Sequence, residues 1–144
     1  MPETKLGAAA GSPVHQAPRP LSPHLFIFRP YINMVMSIMH RITGAANYIG
    51  SLLLAAWLIA AAAGEPQFNA VSDALGSPLG LVVLFGFTWS VMHHMLGGVR
   101  HFIWDTGHGF EIPAVKVLSW GTLLGSLTLA SLIWAIGLWQ WSLH

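Results

Sequence analysis

The chain has 144 residues, of which 54% are hydrophobic, only 8% are charged and none is cysteine, and its formal net charge is +1. A soluble domain has roughly a quarter of its residues charged, so this composition excludes an ordinary water-soluble protein. The small net charge without a basic run argues against a nucleic-acid partner, and the lack of cysteine excludes iron–sulfur clusters and thiolate zinc sites held by this chain alone.

Residues 1–23 form an N-terminal stretch that is rich in Pro, Ala, Gly and Ser and lacks apolar periodicity. This composition predicts a flexible arm ahead of a membrane domain over residues 24–144. No apolar core follows Lys5, as it would in a signal peptide, and the Arg-rich amphipathic character of a mitochondrial transit peptide is missing. We therefore expect a bacterial inner membrane rather than a mitochondrial one.

Three long apolar runs predict transmembrane helices over about residues 34–64, 79–103 and 115–138. Each run is at least as long as the ~20 residues that a helix needs to cross the hydrocarbon core. Gly and Pro at 64–66, 76–78 and 107–113 are expected to break the helices between the runs. The predicted fold is all-α and integral to the membrane, and the alternative is a soluble protein with a fully buried helical core.

The distribution of Lys and Arg predicts the orientation of these helices. Cations occur before or at the start of the first run and on both sides of the second loop, and the first loop and the C-terminal end have none. The positions are Lys5, Arg19, Arg29, Arg41, Arg100 and Lys116. The positive-inside rule then places the N-terminus inside and the C-terminus outside.

A first polar cluster consists of Ser37, His40 and Arg41, which share one helix face because they stand at i, i+3 and i+4. A hydroxyl, an imidazole and a guanidinium can together hold a polar ring or an anion, and both a quinone carbonyl and a haem propionate fit that description. Two simpler interpretations remain open. Arg41 could extend to the lipid headgroups, and Ser37 could be a small residue at a helix contact.

A second cluster is a stripe of His94, Gly97, Gly98 and His101 at i, i+3, i+4 and i+7. A neutral imidazole at His94 could ligate iron, and glycines on the same face would let a flat macrocycle lie close to the backbone. His101, with its neighbour Arg100, could meet propionates. The alternative is that His94 forms an interhelical hydrogen bond and that the glycines only allow close helix packing.

His93 is a competing candidate for an iron ligand. It points about 100° away from His94 on a helix, so both cannot serve one iron. The stripe with Gly98 favours His94. Membrane b-type haems are commonly held by two histidines, and His40 and His101 are expected near the surface, so the second ligand is expected from a partner chain.

Two segments resemble the signatures of succinate dehydrogenase cytochrome b subunits. The first joins RPLSPHL at residues 19–25 with SIMHRITG at residues 37–44, and the second is HMLGGVRHFIWDTG at residues 94–107. The order and spacing of both fit the family. The departures are small: Phe28 stands where many members have Tyr, and Val99 where Ile is usual.

The resemblance implies a membrane anchor of respiratory complex II. In the family this subunit and a second three-helix anchor subunit hold an iron–sulfur subunit and a flavoprotein subunit at the membrane. Electrons from succinate pass to ubiquinone, and a haem b lies between the two anchor subunits. No activity is expected of this chain alone, which lacks a flavin fingerprint and cluster ligands.

Residue by residue, the resemblance implies that His94 is the haem axial ligand and that Ser37 and Arg41 bind quinone. It also implies that His40, Arg41 and His101 lie near the haem propionates. The role of Asp105 stays open, since a helix cap or an ion pair is as good an explanation.

Three other functions compete with this one. A haem-free structural anchor would not need to keep His94, and a fumarate reductase anchor would differ only in the direction of the reaction. A small transporter or assembly factor is disfavoured, because three helices without an internal repeat are few for a transporter.

Overall fold

A computed structural model describes residues 20–143, which form five helices connected by short turns. They are α1 His24–Ile27, α2 Ile32–Ala63, α3 Glu65–Gly76, α4 Pro78–Asp105 and α5 Ile112–Ser142. Helices α2, α4 and α5 are long and apolar enough to cross a membrane, which confirms the all-α fold with three spans. Residues 1–19 of the predicted arm lie outside the described residues.

The long helices extend beyond the spans predicted from hydropathy. Helix α4 continues to Asp105 rather than 103, and α5 covers residues 112–142 rather than 115–138. Hydropathy marks only the apolar part of a helix, whereas backbone hydrogen bonding continues into the polar ends. At ~1.5 Å per residue, the 32 residues of α2 give a length of ~48 Å, well above the ~30 Å hydrocarbon core.

Helix α3 was not predicted, although the breaks on either side of it were. Gly64 ends α2 with a φ of 119°, which favours glycine, and Pro66 lies in the first turn of α3, where its missing N–H is tolerated. Ser77 then caps α4, because its hydroxyl oxygen accepts a hydrogen bond from the Gly80 N–H at 3.1 Å. The stretch between the two breaks is a 12-residue helix, not an open loop.

Helix α4 is the centre of the bundle and packs against both α2 and α5. Among the described residues, the buried apolar side chains are few: Met36, Ala60 and Ala130. The buried polar side chains are Thr43, Ser90, His93, Arg100, Ser119, Thr122 and Ser126. Large apolar side chains lie instead on the outer surface. A polar seam of small residues inside an apolar exterior is typical of helices that associate in lipid.

One end of the bundle, here called the basic end, is formed by the start of α2, the end of α4 and the start of α5. It carries all four Lys and Arg side chains of residues 20–143: Arg29, Arg41, Arg100 and Lys116. Helix α3, with Glu65 and Asp73, lies at the opposite end. The histidines of interest lie between the middle of α4 and the basic end.

Gly50 brings α2 close to α4 and supplies a test of this packing. A Cβ added at Gly50 would overlap the ring of Phe87, whereas a Cβ added at Gly86 meets nothing within 4 Å. We expect Gly50→Ala to lower the free energy of unfolding by about 1–3 kcal/mol, because an overpacked contact forces the helices apart. The matched control, Gly86→Ala, should leave the melting temperature in mild detergent unchanged or slightly raised. Equal melting temperatures for the two variants would contradict the packing of α2 on α4.

Candidate functional site

The His94 ring lies between α2 and α4 and is held by the backbone of α2. Its Nδ1 lies 3.0 Å from the carbonyl oxygen of His40. A carbonyl oxygen can only accept, so Nδ1 carries the proton in this hydrogen bond, and in a neutral imidazole Nε2 is then the basic nitrogen. Within residues 20–143, His94 Nε2 makes no hydrogen bond to protein, which leaves its lone pair available to a ligand.

Residues on α2 fix the carbonyl that holds His94. The Thr43 hydroxyl lies 2.9 Å from the Met39 carbonyl oxygen and 3.0 Å from that of His40, and its oxygen is 3.5 Å from His94 Nδ1. Ser90 of α4 lies 3.0 Å from the Thr43 carbonyl oxygen and 2.8 Å from Asn47 Oδ1. These contacts tie α2 to α4 one turn away from His94 and make the ring orientation a property of both helices.

The His40 ring is stacked flat on the His94 ring, with centroids 4.0 Å apart and planes 5° from parallel. Gly97 makes room for it, because a Cβ at Gly97 would overlap the His40 ring. A Cβ at Gly44 would lie 3.0 Å from His94 Cε1, so this glycine makes room for the second ring. The stripe therefore differs from the expectation in one respect: Gly97 receives an imidazole, and Gly98, with nothing within 4 Å of an added Cβ, borders open space.

His93 occupies a different environment from its neighbour. The ring is fully buried in the bundle, with 0% exposure, and its Nδ1 lies 3.2 Å from the Ser126 hydroxyl of α5. Nε2 is buried without a hydrogen-bond partner among the described residues. A group shared with another chain cannot reach a ring enclosed on all sides by this chain. The burial makes His93 the less accessible of the two rings.

A cavity of about 450 Å³ lies at the basic end between α2 and α4. Its lining includes Ser37 and Arg41 from α2, together with Arg100, His101 and Trp104 from α4. The remaining lining residues are Asn33, Met34 and Ile38, so no carboxylate of residues 20–143 lines the cavity. The cavity has the size of a small-ligand site and several convergent hydrogen-bond donors.

The predicted site residues thus separate into two adjacent groups. Ser37, Arg41 and His101 line the cavity, whereas His40 and His94 form the stacked pair and are absent from its lining. His101 connects the two groups, since its ring centroid is 5.3 Å from that of His40 and 5.2 Å from Trp104. Asp105 is exposed at the last residue of α4.

Several functional contacts could not be foreseen from the two motifs. Thr43 belongs to the first motif but was given no role there, and it supports His94 together with Ser90 and Asn47 of the neighbouring turns. Ser126 pairs with His93, and like Ser90 and Asn47 it lies outside both motifs and is a common small polar residue in an apolar helix. The one signal in the sequence was spacing. Ser119, Thr122 and Ser126 recur at intervals of three and four on α5, as expected of a stripe that faces a neighbouring helix.

Residues 15–133 match the family model for the succinate dehydrogenase/fumarate reductase transmembrane subunit. The chain is 39% identical over 119 residues to the succinate dehydrogenase cytochrome b556 subunit of Paracoccus denitrificans, a match that covers 83% of this chain and 92% of the relative. The corresponding subunit of Rickettsia prowazekii (strain Madrid E) is 35% identical over 116 residues, 81% of this chain and 90% of the relative. The chain belongs to this family.

The match confirms the resemblance inferred from the two signatures. The chain has the role of a membrane-anchor cytochrome b subunit of succinate dehydrogenase, one part of an enzyme complex, and is not catalytic by itself. The family includes mitochondrial proteins. The mitochondrial cytochrome b560 subunit of Sus scrofa is 38% identical over 120 residues, which cover 79% of this chain and 71% of the relative.

His93 and His108 provide a test of which histidines support the bundle. His93→Ala should lower the free energy of unfolding by about 2 kcal/mol or more, because it leaves a cavity and breaks the contact to Ser126. His108 is exposed in the turn between α4 and α5, so His108→Ala is the matched control. Thermal unfolding of the purified complex in mild detergent measures both. A His93→Ala complex as stable as the control would contradict a role for His93 in packing.

Proposed function

We propose that this family member binds a haem b through His94 and forms part of a ubiquinone site with Ser37 and Arg41. The main support for haem binding is the orientation of His94. Its Nδ1 is hydrogen-bonded to the His40 carbonyl at 3.0 Å, and within residues 20–143 its Nε2 has no protein partner. A haem-ligating histidine needs this arrangement, because its second nitrogen is commonly fixed by a carbonyl or carboxylate.

The residues around His94 fit a flat iron-bearing group. Gly98, four residues further along α4, leaves space where a side chain would otherwise stand. His101 and Arg41 lie towards the basic end, where propionates would find donors, and the His40 ring lies 5.3 Å from that of His101. When bound, the haem supplies a one-electron carrier. His94 would hold the iron from this chain, and the second anchor subunit would supply the other histidine.

The quinone half of the proposal rests on the cavity at the basic end. Ser37 and Arg41 stand one turn apart on α2 and both line it. The Ser37 hydroxyl and the Arg41 guanidinium would donate hydrogen bonds to a ring oxygen of ubiquinone, and Arg41 would stabilise the negative charge that arrives with electrons. Electrons would come from succinate by way of the flavoprotein and iron–sulfur subunits.

We also propose how the chain is oriented and in which membrane it lies. All four described cations are at the basic end, and positive-inside then directs that end to the cytoplasm of a bacterial inner membrane. The N-terminus is inside and the C-terminus outside. The iron–sulfur subunit would dock at the basic end, beside the quinone cavity, with the flavoprotein subunit beyond it. The second three-helix anchor subunit would pack on the side that His94 faces.

Visible spectroscopy of the purified complex tests the haem ligand. His94→Ala should abolish the sharp low-spin b-type band of the reduced-minus-oxidised spectrum, because the iron loses an axial nitrogen. His93→Ala, if the complex is recovered, should retain it. A band that survives in His94→Ala and disappears in His93→Ala would exchange the two assignments, and an intact wild-type complex without any b-type band would favour a haem-free anchor.

A second spectroscopic test uses two glycines of α4. Gly97→Ala should displace the His40 ring from its stack on His94 and so shift the haem midpoint potential or the low-spin EPR signal. Gly86→Ala is the control, because it adds the same methyl group to α4 away from the histidine pair and meets nothing within 4 Å. A wild-type EPR signal and potential in Gly97→Ala would contradict a contribution of the His40 ring to the haem site.

Quinone reductase kinetics test the cavity. Arg41→Leu and Ser37→Ala should each lower kcat/KM for a ubiquinone analogue, by about tenfold or more for Arg41, since a hydrogen bond to a charged group contributes about 1.5–3 kcal/mol. Arg29 is an exposed cation at the same end that does not line the cavity, so Arg29→Leu is the control. Unchanged kinetics in Arg41→Leu, with normal assembly, would remove the quinone site from this position.

A further inference from the structure

Arg100 is a buried cation whose protein contacts leave much of its hydrogen-bonding capacity unused. The side chain is only 2% exposed. Within residues 20–143 its one hydrogen bond is a long contact from Nη1 to the Ser119 hydroxyl at 3.5 Å, and Nε is buried with no partner. A guanidinium out of water is costly unless it is paired, so a group with negative charge or strong acceptors is expected beside it.

The position of Arg100 indicates which ligand supplies that group. The residue lines the same cavity as Ser37 and Arg41, and within the described part of the chain no carboxylate lines that cavity. His40 and His94 are not part of the lining. Arg100 therefore borders the proposed quinone pocket, whereas the proposed haem ligand His94 does not. Arg100 also lines a smaller cavity of about 240 Å³ between α4 and α5. The Trp104 ring, whose centroid is 5.0 Å from the guanidinium carbon, holds the guanidinium by a cation–π contact.

We propose that Arg100 is a further quinone-binding residue, which donates a hydrogen bond to a ring oxygen from the buried wall of the cavity. This inference rests on the proposed quinone site. Ubiquinone becomes ubiquinol by taking up two electrons from the iron–sulfur subunit and two protons from water, and each ring carbonyl becomes a hydroxyl. Electrons bring negative charge onto the ring oxygens before the protons arrive. Arg100 stabilises that charge, because a guanidinium keeps its proton and acts strongly where water is excluded.

The two guanidiniums of the site differ in burial and are expected to have different roles. Both arginines line the cavity, but Arg41 is exposed whereas Arg100 is buried. An exposed charge is screened by water and salt, and a buried charge is not. Arg41 thus contributes mainly to capture of the quinone ring, and Arg100 contributes mainly to the reduced, negatively charged states. The effect of Arg100 should accordingly appear in kcat as well as in KM.

The test compares Arg100→Lys, Arg100→Gln and Arg100→Met in the assembled complex, with Lys116→Met as a control cation at the basic end outside this cavity. Haem spectrum and subunit recovery establish assembly. Succinate-driven reduction of a short-chain ubiquinone analogue then gives kcat and KM. We expect kcat/KM to fall about tenfold or more in Arg100→Met and Arg100→Gln, with a lower kcat. The kcat/KM of Arg100→Lys should lie between those of the wild type and Arg100→Met, because lysine keeps the charge but lacks the planar guanidinium that donates two parallel hydrogen bonds.

Three results would overturn the inference. The first is unchanged kcat and KM in Arg100→Gln with normal assembly. The second is an equal loss of kcat/KM in Ser119→Ala, which would show that Arg100 acts only by joining α4 to α5. The third applies if Arg100→Met and Arg100→Gln fail to assemble: Arg100→Lys then decides, and wild-type kinetics in it reject the proposal. If Arg41→Leu and Ser37→Ala also leave quinone kinetics unchanged, the proposed quinone site itself is wrong. If only the Arg100 variants leave the kinetics unchanged, the quinone site remains and Arg100 is not part of it.

Discussion

The hydrogen bond from His94 Nδ1 to the His40 carbonyl is the constraint on which the site depends. It joins α2 to α4, and it fixes which nitrogen of His94 is basic. It requires the two helices to be close, because an imidazole reaches a backbone carbonyl on another helix only where side chains between them are small. Gly44 and Gly97 meet that requirement at the stacked pair, and Gly50 meets it further along α2.

The same closeness explains why the interior is polar. Apolar burial gives little advantage in lipid, so helices associate through tight packing and hydrogen bonds between small residues. Ser90 with Asn47, and His93 with Ser126, are such contacts on the two sides of α4. They hold α4 firmly between its neighbours. The histidine pair and the cavity at the basic end are therefore positioned by rigid helices rather than by loops, which suits electron transfer between fixed centres.

The sequence was informative where physical demands are strong and local. Long apolar runs predicted the three spans, and Gly and Pro predicted the breaks at Gly64 and Ser77. Helical spacing favoured His94 over His93 as an iron ligand, and this choice stays a prediction, although the structure encloses His93 within the bundle. The direction of the His40 ring and the unused capacity of Arg100 could not be predicted, because both depend on which residues face each other across helices. Helix α3 was not predicted because it is short, weakly apolar and flanked by helix-breaking Gly and Pro residues.

The most direct test of the account is chemical rescue at His94. In the purified complex, His94→Gly leaves a space of about the size of an imidazole ring. The account predicts that the sharp b-type band is lost and that millimolar imidazole restores it, since the His40 carbonyl can hold free imidazole as it holds the side chain. A His94→Gly complex that keeps its sharp band without imidazole would contradict the assignment of His94 as the iron ligand.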